Sequence, residues 1–350
     1  MPFSEVTAQD RALGALRAAL RRGALHHAYL FGGPEGTGKG RAAQLLAQAA
    51  NCEGGEATSA PGYRDDPCGA CGPCRKIARG VHPDVMVLHE ERVMAKAGTW
   101  EPKGGRSPSK DVVVDQVRDL VDHRLAMKRF EGRRRFVIID PADAMNPQAQ
   151  NALLKTLEEP PEETTLVLVA ASPDVLLPTI RSRCLRVPFG PVPDALVVQQ
   201  LVAKGRSEEE ARLAAALAAG SLGRALALDP AALDGLRDAV RAAVALDPDD
   251  AGGWLAFARD HGEDREQAGE LCALLALWLR DVLALQAGGA ALALADLAPE
   301  SRRAAAALTA AEVVRRRGLV EETAAGLRQN ASPVLALEGL FIGWFHGRAA

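Results

Sequence analysis

Aromatic residues are scarce in this chain: phenylalanine, tryptophan and tyrosine together make up 4% of it. Alanine and leucine dominate the second half instead, which favours helix over sheet there. Excess positive charge is missing too. Lysine and arginine number 42 against 45 aspartates and glutamates, a formal net charge of -3. Nothing therefore attracts nucleic acid globally, and any such contact must be local or shared with partners. Nor is there a long hydrophobic run. The most apolar later stretch, Leu271–Leu285, is broken by Arg280 and Asp281, short of the roughly 18 uninterrupted residues that a membrane helix needs. The first residues, MPFSEVTAQDR, are polar and acidic where a secretory signal would be basic and then apolar. A cytoplasmic protein with no membrane partner is expected. In that reducing compartment its six cysteines should not form disulfides, and the clustering of four of them points to metal.

At 350 residues the chain has room for two or three domains. Residues 8–22 read as an amphipathic helix with Leu13, Leu16 and Leu20 at helical spacing. A short apolar strand, Ala28–Phe31, then runs into the glycine-rich loop Gly32–Gly40, and Arg41–Ala50 has helical composition. Arg135–Asp140 and Leu166–Ala171 are further buried-strand candidates, separated by a helix at Gln148–Glu158 that Pro160 and Pro161 stop. Strands alternating with helices imply a three-layer, parallel α/β domain ending near Pro188. Two segments interrupt the alternation. Cys52–Cys74 is rich in Gly, Pro and Cys, and Arg92–Lys110 is polar, basic in bias and aperiodic, which reads as a mobile loop. Beyond Pro188 the pattern is nearly pure helix, punctuated at Gly220-Ser221-Leu222-Gly223 and Pro230. The expected division is a nucleotide-binding-like core over 1–188 (cysteine module within 52–74), a small helical domain over 189–229 and a helical block over 230–350.

The loop Gly33-Pro34-Glu35-Gly36-Thr37-Gly38-Lys39-Gly40 matches G-x-x-x-x-G-K-[ST] except at its last position. Glycines let backbone N–H groups wrap phosphate oxygens, Lys39 would reach the outer phosphates, and the following helix adds partial positive charge. The alternative, a glycine-rich turn with a chance lysine, does not explain the strand before it. Gly40 has no hydroxyl for Mg²⁺, which compromises metal-assisted hydrolysis. Asp140 ends a strand as the metal-side aspartate of such ATPases does, yet Pro141 stands where a water-polarising glutamate would follow. The alternative reading is that Asp140 only caps the next turn. Asp143 is a poor substitute on a chain stiffened by Pro141. Cys52, Cys68, Cys71 and Cys74 form C-x15-C-x2-C-x2-C, four thiolates for a closed, structural tetrahedral zinc site. An iron–sulfur cluster is the alternative from the same ligands. Cys184 and Cys272 are isolated and read as small buried residues.

Gln150–Pro161 (QNALLKTLEEPP), Leu166–Ala171, Thr179–Cys184 (TIRSRC), Asp115–Leu120 (DQVRDL) and His27–Phe31 (HAYLF) together resemble the bacterial clamp-loader AAA+ family. The resemblance covers about residues 8–225 and, weakly, the rest. It implies an AAA+ P-loop core carrying a zinc module, usually with a shorter first gap than the 15 residues here, then a helical lid and an all-helical oligomerisation collar. Asn330–Pro333 and Leu335–Glu338 are similar to the collar's last helix. In the family Ser182-Arg183-Cys184 carries an arginine finger, which reaches a neighbouring subunit's ATP site and stabilises charge on the transferred phosphoryl group. Arg183 alone would read as an exposed arginine in a turn. Arg224 stands where the family places its sensor 2, either to touch phosphate or to hold the lid. The sensor 1 region, Ala170–Ser172, keeps no polar side chain except Ser172.

Two kinds of subunit in that family share these motifs. The tau/gamma motor needs a complete phosphate loop, a catalytic glutamate and sensor 1, whereas delta-prime can dispense with all three and present the finger. Gly40, Pro141 and the alanines favour the delta-prime kind. The resemblance then implies tau/gamma and delta partners, with the sliding clamp and primed DNA reached through the assembly. Zinc is the expected structural cofactor. ATP binding through Gly33, Gly36, Gly38, Lys39, Asp140 and Arg224 is weak or vestigial, with hydrolysis not expected from the chain alone. The rival readings are an active tau/gamma-like motor and a zinc-dependent nucleic-acid-binding protein with a vestigial loop.

Overall fold

Period-two alternation splits the strand side chains between two cores. Tyr29, Phe31, Phe136, Ile138, Val167 and Val169 point to one face of a sheet, while Leu30, Val137, Ile139, Leu166 and Leu168 point to the other. Strands buried on both faces read as unbroken apolar runs, which is why the central ones stand out in the sequence. In the computed structural model, which describes residues 3–54, 63–289 and 292–346, these strands form one five-stranded parallel sheet of order β2-β3-β4-β1-β5.

The chain begins with α1 (Asp10–Arg21), β1 (Ala28–Gly32), α2 (Lys39–Asn51) and α3 (Gly72–Ala78), followed by β2 (Val85–Leu88), α4 (Glu91–Lys96) and α5 (Val114–Arg118). β3 (Arg135–Ile139), α6 (Pro147–Glu158), β4 (Thr164–Ala170), α7 (Pro178–Arg181) and β5 (Leu185–Pro188) complete the sheet domain. α6 starts where Asn146 accepts a hydrogen bond from the Ala149 N–H and Pro147 takes a position whose missing N–H costs nothing. α1 and α2 supply one covering layer, and α5 and α6 the other. This is the three-layer, parallel α/β core that the sequence implied. The two edge strands, β2 and β5, were not among the strands read from it.

The segment Arg92–Lys110 is not the featureless loop expected from its lack of periodicity. It opens with α4, and the fully buried Glu91 gathers its far end. Glu91 takes two hydrogen bonds from Arg106 at 2.5 and 2.7 Å, one from the Trp100 indole and one from the Ser109 N–H. A buried carboxylate requires such partners, and they hold residues 100–109 in place.

The remaining helices are α8 (Asp194–Ala203), α9 (Glu208–Ala218), α10 (Leu222–Ala227), α11 (Pro230–Val244), α12 (Ala251–His261), α13 (Arg265–Gln286), α14 (Ala298–Ala307), α15 (Ala310–Arg328) and α16 (Pro333–His346). The chain divides into a unit of residues 1–196 with 220–223 and a second unit of 197–219 with 224–350. In the second, α13 packs against α11, α14, α15 and α16. Leu271, Leu275, Trp278, Val320 and Phe341 are buried there. Aromatic rings pair there: Trp254 stacks on Phe345 at 4.7 Å, and Trp278 on Trp344 at 6.5 Å. Among the described residues no helix is long and apolar enough to cross a membrane.

Candidate functional site: a phosphate loop, a remote arginine and a four-cysteine cluster

β1 delivers the chain into the loop, and α2 starts at Lys39. Gly36 and Gly38 have φ of 66° and 92°, left-handed values that an L side chain rarely adopts. Gly33 also has a positive φ, 147°, and a Cβ there would in addition collide with the Phe189 carbonyl. The Lys39 ammonium folds back onto the loop and donates to the carbonyls of Gly33 at 2.5 Å and Pro34 at 2.6 Å. Burial lowers its pKa, while Asp140, Asp143 and Glu35 act in the opposite direction. A hollow of about 410 Å³ opens here, lined by Glu35, Lys39, Gly40, Asp140, Ala171 and Gly223 among others. The Gly223 N–H closes on the loop, donating to the Gly36 carbonyl at 2.9 Å. Gly33, Gly36, Gly38, Lys39 and Asp140 are therefore brought together.

The metal side of that hollow differs from a working ATPase. A Cβ at position 40 would fall inside van der Waals contact of the Asp140 carboxylate, so Asp140 fills the space where a threonine or serine would stand. Burial raises the Asp140 pKa, with His89 and Lys39 opposing and Asp143 and Glu35 adding to it. The next side chain is Pro141, with no carboxylate. Asp143 is committed elsewhere, accepting from the Ser172 N–H at 2.7 Å. The alanines at 170 and 171 offer nothing polar.

Arg183 is at the other end of the sheet. β5 runs parallel to β1, with Tyr29 opposite Leu185 and Gly32 opposite Pro188. Arg183 precedes β5 and the phosphate loop follows β1, so the length of a five-residue strand, about 16 Å, separates them. The guanidinium donates to Glu158 Oε1 at 2.6 Å and to the Thr179 carbonyl at 3.0 Å. It borders a hollow of about 500 Å³ with His26, His27 and Ser182. Its neighbour Arg181 pairs instead with Asp174. Arg224, exposed on α10, belongs to the second unit. There it acts on Glu270, whose pKa burial and Glu266 raise and Arg224 draws down.

The four cysteine sulfurs lie within 4.8 Å of one another, and those of Cys52 and Cys71 are 3.9 Å apart. Tetrahedral zinc with bonds of about 2.3 Å needs sulfurs roughly 3.8 Å apart. The Ala70 and Cys71 N–H groups donate to Cys68 Sγ at 3.4 and 3.3 Å, and the Cys68 N–H donates to Cys52 Sγ at 3.4 Å. Such donors favour thiolate over thiol. Cys68 accordingly drops to about 6, its burial outweighed by these N–H groups and by the neighbouring cysteines. Gly54 leaves room for the cluster, because a Cβ there would press on Cys68 Sγ at 2.6 Å. The donor set fits a closed metal centre. Residues 55–62 of the long gap between Cys52 and Cys68 lie outside the described residues.

The family model described as "DNA polymerase III, delta subunit" matches residues 8–193, more than half of the chain. The chain belongs to this DNA polymerase III subunit family. It is 39% identical over 185 residues to the DNA polymerase III subunit delta' of Pseudomonas aeruginosa, covering 53% of this chain and 49% of that protein. With the subunit delta' of Bacillus subtilis it shares 34% over 208 residues, 59% of this chain and 55% of the other. The subunit tau of Escherichia coli is 35% identical over 184 residues, 53% of this chain and 25% of that protein. The chain thus spans about half the length, or less, of these relatives. The matched region of this family member includes the phosphate loop, the cysteine cluster and Arg183. Sequence reasoning missed two things there, the partner of Arg183 and the Glu91 clamp. Glu158 lies 25 residues before Arg183, and no local pattern announces such a pair.

Proposed function

We propose that the chain is the delta-prime subunit of a bacterial clamp loader, acting in the cytoplasm and presenting Arg183 to a neighbouring subunit's ATP site. The observation that carries this reading is the separation of Arg183 from the chain's own phosphate loop. An arginine one strand length away cannot serve that loop, but in a ring it faces outward to the next subunit. A guanidinium fork suits this work because it grips two phosphate oxygens in one plane. Thr179 and Glu158 orient it, and Glu158 must release it, wholly or in part, when phosphate arrives.

The chain's own nucleotide site is a weak binder without turnover. The loop cradle remains, but nothing at position 40 can ligate magnesium and nothing at 141 can polarise water. Cys52, Cys68, Cys71 and Cys74 hold a structural zinc, which pins α3 to the end of α2 and takes no part in chemistry. Arg224 belongs to a helical lid over 189–229, and residues 230–350 form the collar that joins the ring. Tau/gamma and delta subunits are the partners, and the clamp and primed DNA are met through the assembly. Reconstitution tests this: the chain mixed with tau/gamma and delta subunits from its own source should enter one complex of fixed stoichiometry, which turns over ATP faster than the same subunits without the chain. Robust hydrolysis by the chain alone would instead favour an active motor.

A further inference from the structure

Beside the cysteine cluster lies a surface that neither the phosphate loop nor Arg183 uses. The helix α3 ends at Ala78, Val81 follows in the turn after it, and the loop 126–133 is tied to that helix. Lys76 bonds Glu131 at 2.7 and 2.8 Å. The buried Asp84 takes the N–H groups of Phe130, Glu131 and Gly132 at 2.7–3.1 Å. These ties make one surface of two segments distant in sequence.

Three apolar side chains stand out from it: Phe130 is 83% exposed, Met127 66% and Val81 64%. Exposed cations surround them, Arg79 on one segment and Lys128 and Arg129 on the other. Within 75–82 and 126–133 the one carboxylate is Glu131, and Lys76 already matches it. A chain of net charge -3 thus concentrates positive charge around an apolar cluster. The tip is also held in advance, since three N–H bonds to one carboxylate fix the backbone that carries Phe130. A partner therefore need not pay to order it.

We propose that this surface docks an acidic segment of a partner protein that inserts apolar side chains against Phe130, Met127 and Val81. Charge complementarity selects the acidic character, and an apolar patch rimmed by charge marks a protein interface. A single-stranded nucleic acid would also satisfy the cations. It would seek successive aromatic faces for its bases, whereas two of the three apolar groups here are aliphatic.

The test is selection of a displayed random 16-residue peptide library on the full, zinc-loaded chain. Enriched peptides are then titrated by fluorescence anisotropy, with labelled oligo(dT) as the comparator. The enriched pool should be rich in Asp and Glu interspersed with Phe, Leu and Ile. Phe130→Ala should weaken its binding by about 10-fold or more, and Arg129→Glu should weaken it and flatten its salt dependence, with zinc content and circular dichroism unchanged. No enrichment relative to the Phe130→Ala chain, or a pool of neutral or basic sequences, overturns the proposal. Tighter binding of oligo(dT) than of any peptide, lost with Phe130→Ala, also overturns it and assigns the surface to nucleic acid.

Discussion

Replacing Asp84 with alanine should destabilise the sheet unit by about 3 kcal/mol. The side chain is 2% exposed as part of its residue and receives three backbone N–H groups, from Phe130, Glu131 and Gly132. Hydrogen bonds to a charged group contribute roughly 1.5–3 kcal/mol each, so three would give at most about 4.5–9 kcal/mol. The loop carrying the donors is exposed, and water can solvate part of what the carboxylate releases, which brings the net cost to the lower figure. At roughly 2–4 °C per kcal/mol for a unit of this size, the melting transition should fall by about 6–12 °C. The pH dependence follows from the same contacts. Burial opposes the charged form of Asp84, but the N–H groups of Gly132, Glu131 and Phe130, with Arg135, prevail and hold its pKa below the ordinary 3.8. A depressed folded pKa means stability that is complete above the unfolded value and lost as pH falls through the folded one. The difference between wild type and Asp84→Asn should therefore be constant near neutrality and shrink only below about pH 3.8. Urea denaturation of both chains from pH 7 downward reads both effects. A cost under about 1 kcal/mol for Asp84→Ala, or a gap that does not narrow in acid, would refute the reasoning.

The chain purified from cells should carry about one zinc, and Cys71→Ser should lose it, because a closed four-thiolate site needs every ligand; metal analysis decides this, and an iron–sulfur absorbance would redirect the assignment. Gly40→Thr should cost roughly 1–3 kcal/mol, since the new side chain must displace the Asp140 carboxylate, and should restore no turnover because Pro141 remains; coupled ATPase and thermal melts report the two. Glu91→Ala should free residues 100–109 to proteolysis, with fragments mapped by mass spectrometry, because it removes the carboxylate that gathers Trp100, Arg106 and Ser109.

How much of this was legible depends on how local each cause is. Ala28–Phe31, Arg135–Asp140 and Leu166–Ala171 could be read as strands because burial on both faces forces unbroken apolar runs. β5 hides, since Leu185, Arg186 and Pro188 are exposed along an edge and four residues give too short a pattern. β2 is equally short and follows the cysteine module without a helix of ordinary length to set the alternation. The cysteine cluster was fully marked, because ligand spacing is a local property. Arg92–Lys110 misled, since its order comes from Glu91 bonding across 15 residues to Arg106, which no periodicity encodes. The phosphate-loop defects were visible one residue at a time. Their joint result, Asp140 standing in the space beside Gly40, needed the fold.

The central claim is that Arg183 acts in trans, and steady-state ATPase of the reconstituted loader with clamp and primed DNA tests it most directly. Arg183→Ala should leave assembly and zinc content intact while lowering turnover. A finger contributes on the order of 10³-fold at the site it serves, though total turnover falls less because other motor sites do not receive this arginine. Arg183→Lys should fail nearly as badly, since lysine keeps the charge but loses the planar fork, while Arg181→Ala, which breaks only the pair with Asp174, should stay close to wild type. Equal turnover for Arg183→Ala and wild type at saturating ATP would contradict the account and leave Ser182-Arg183-Cys184 as a turn.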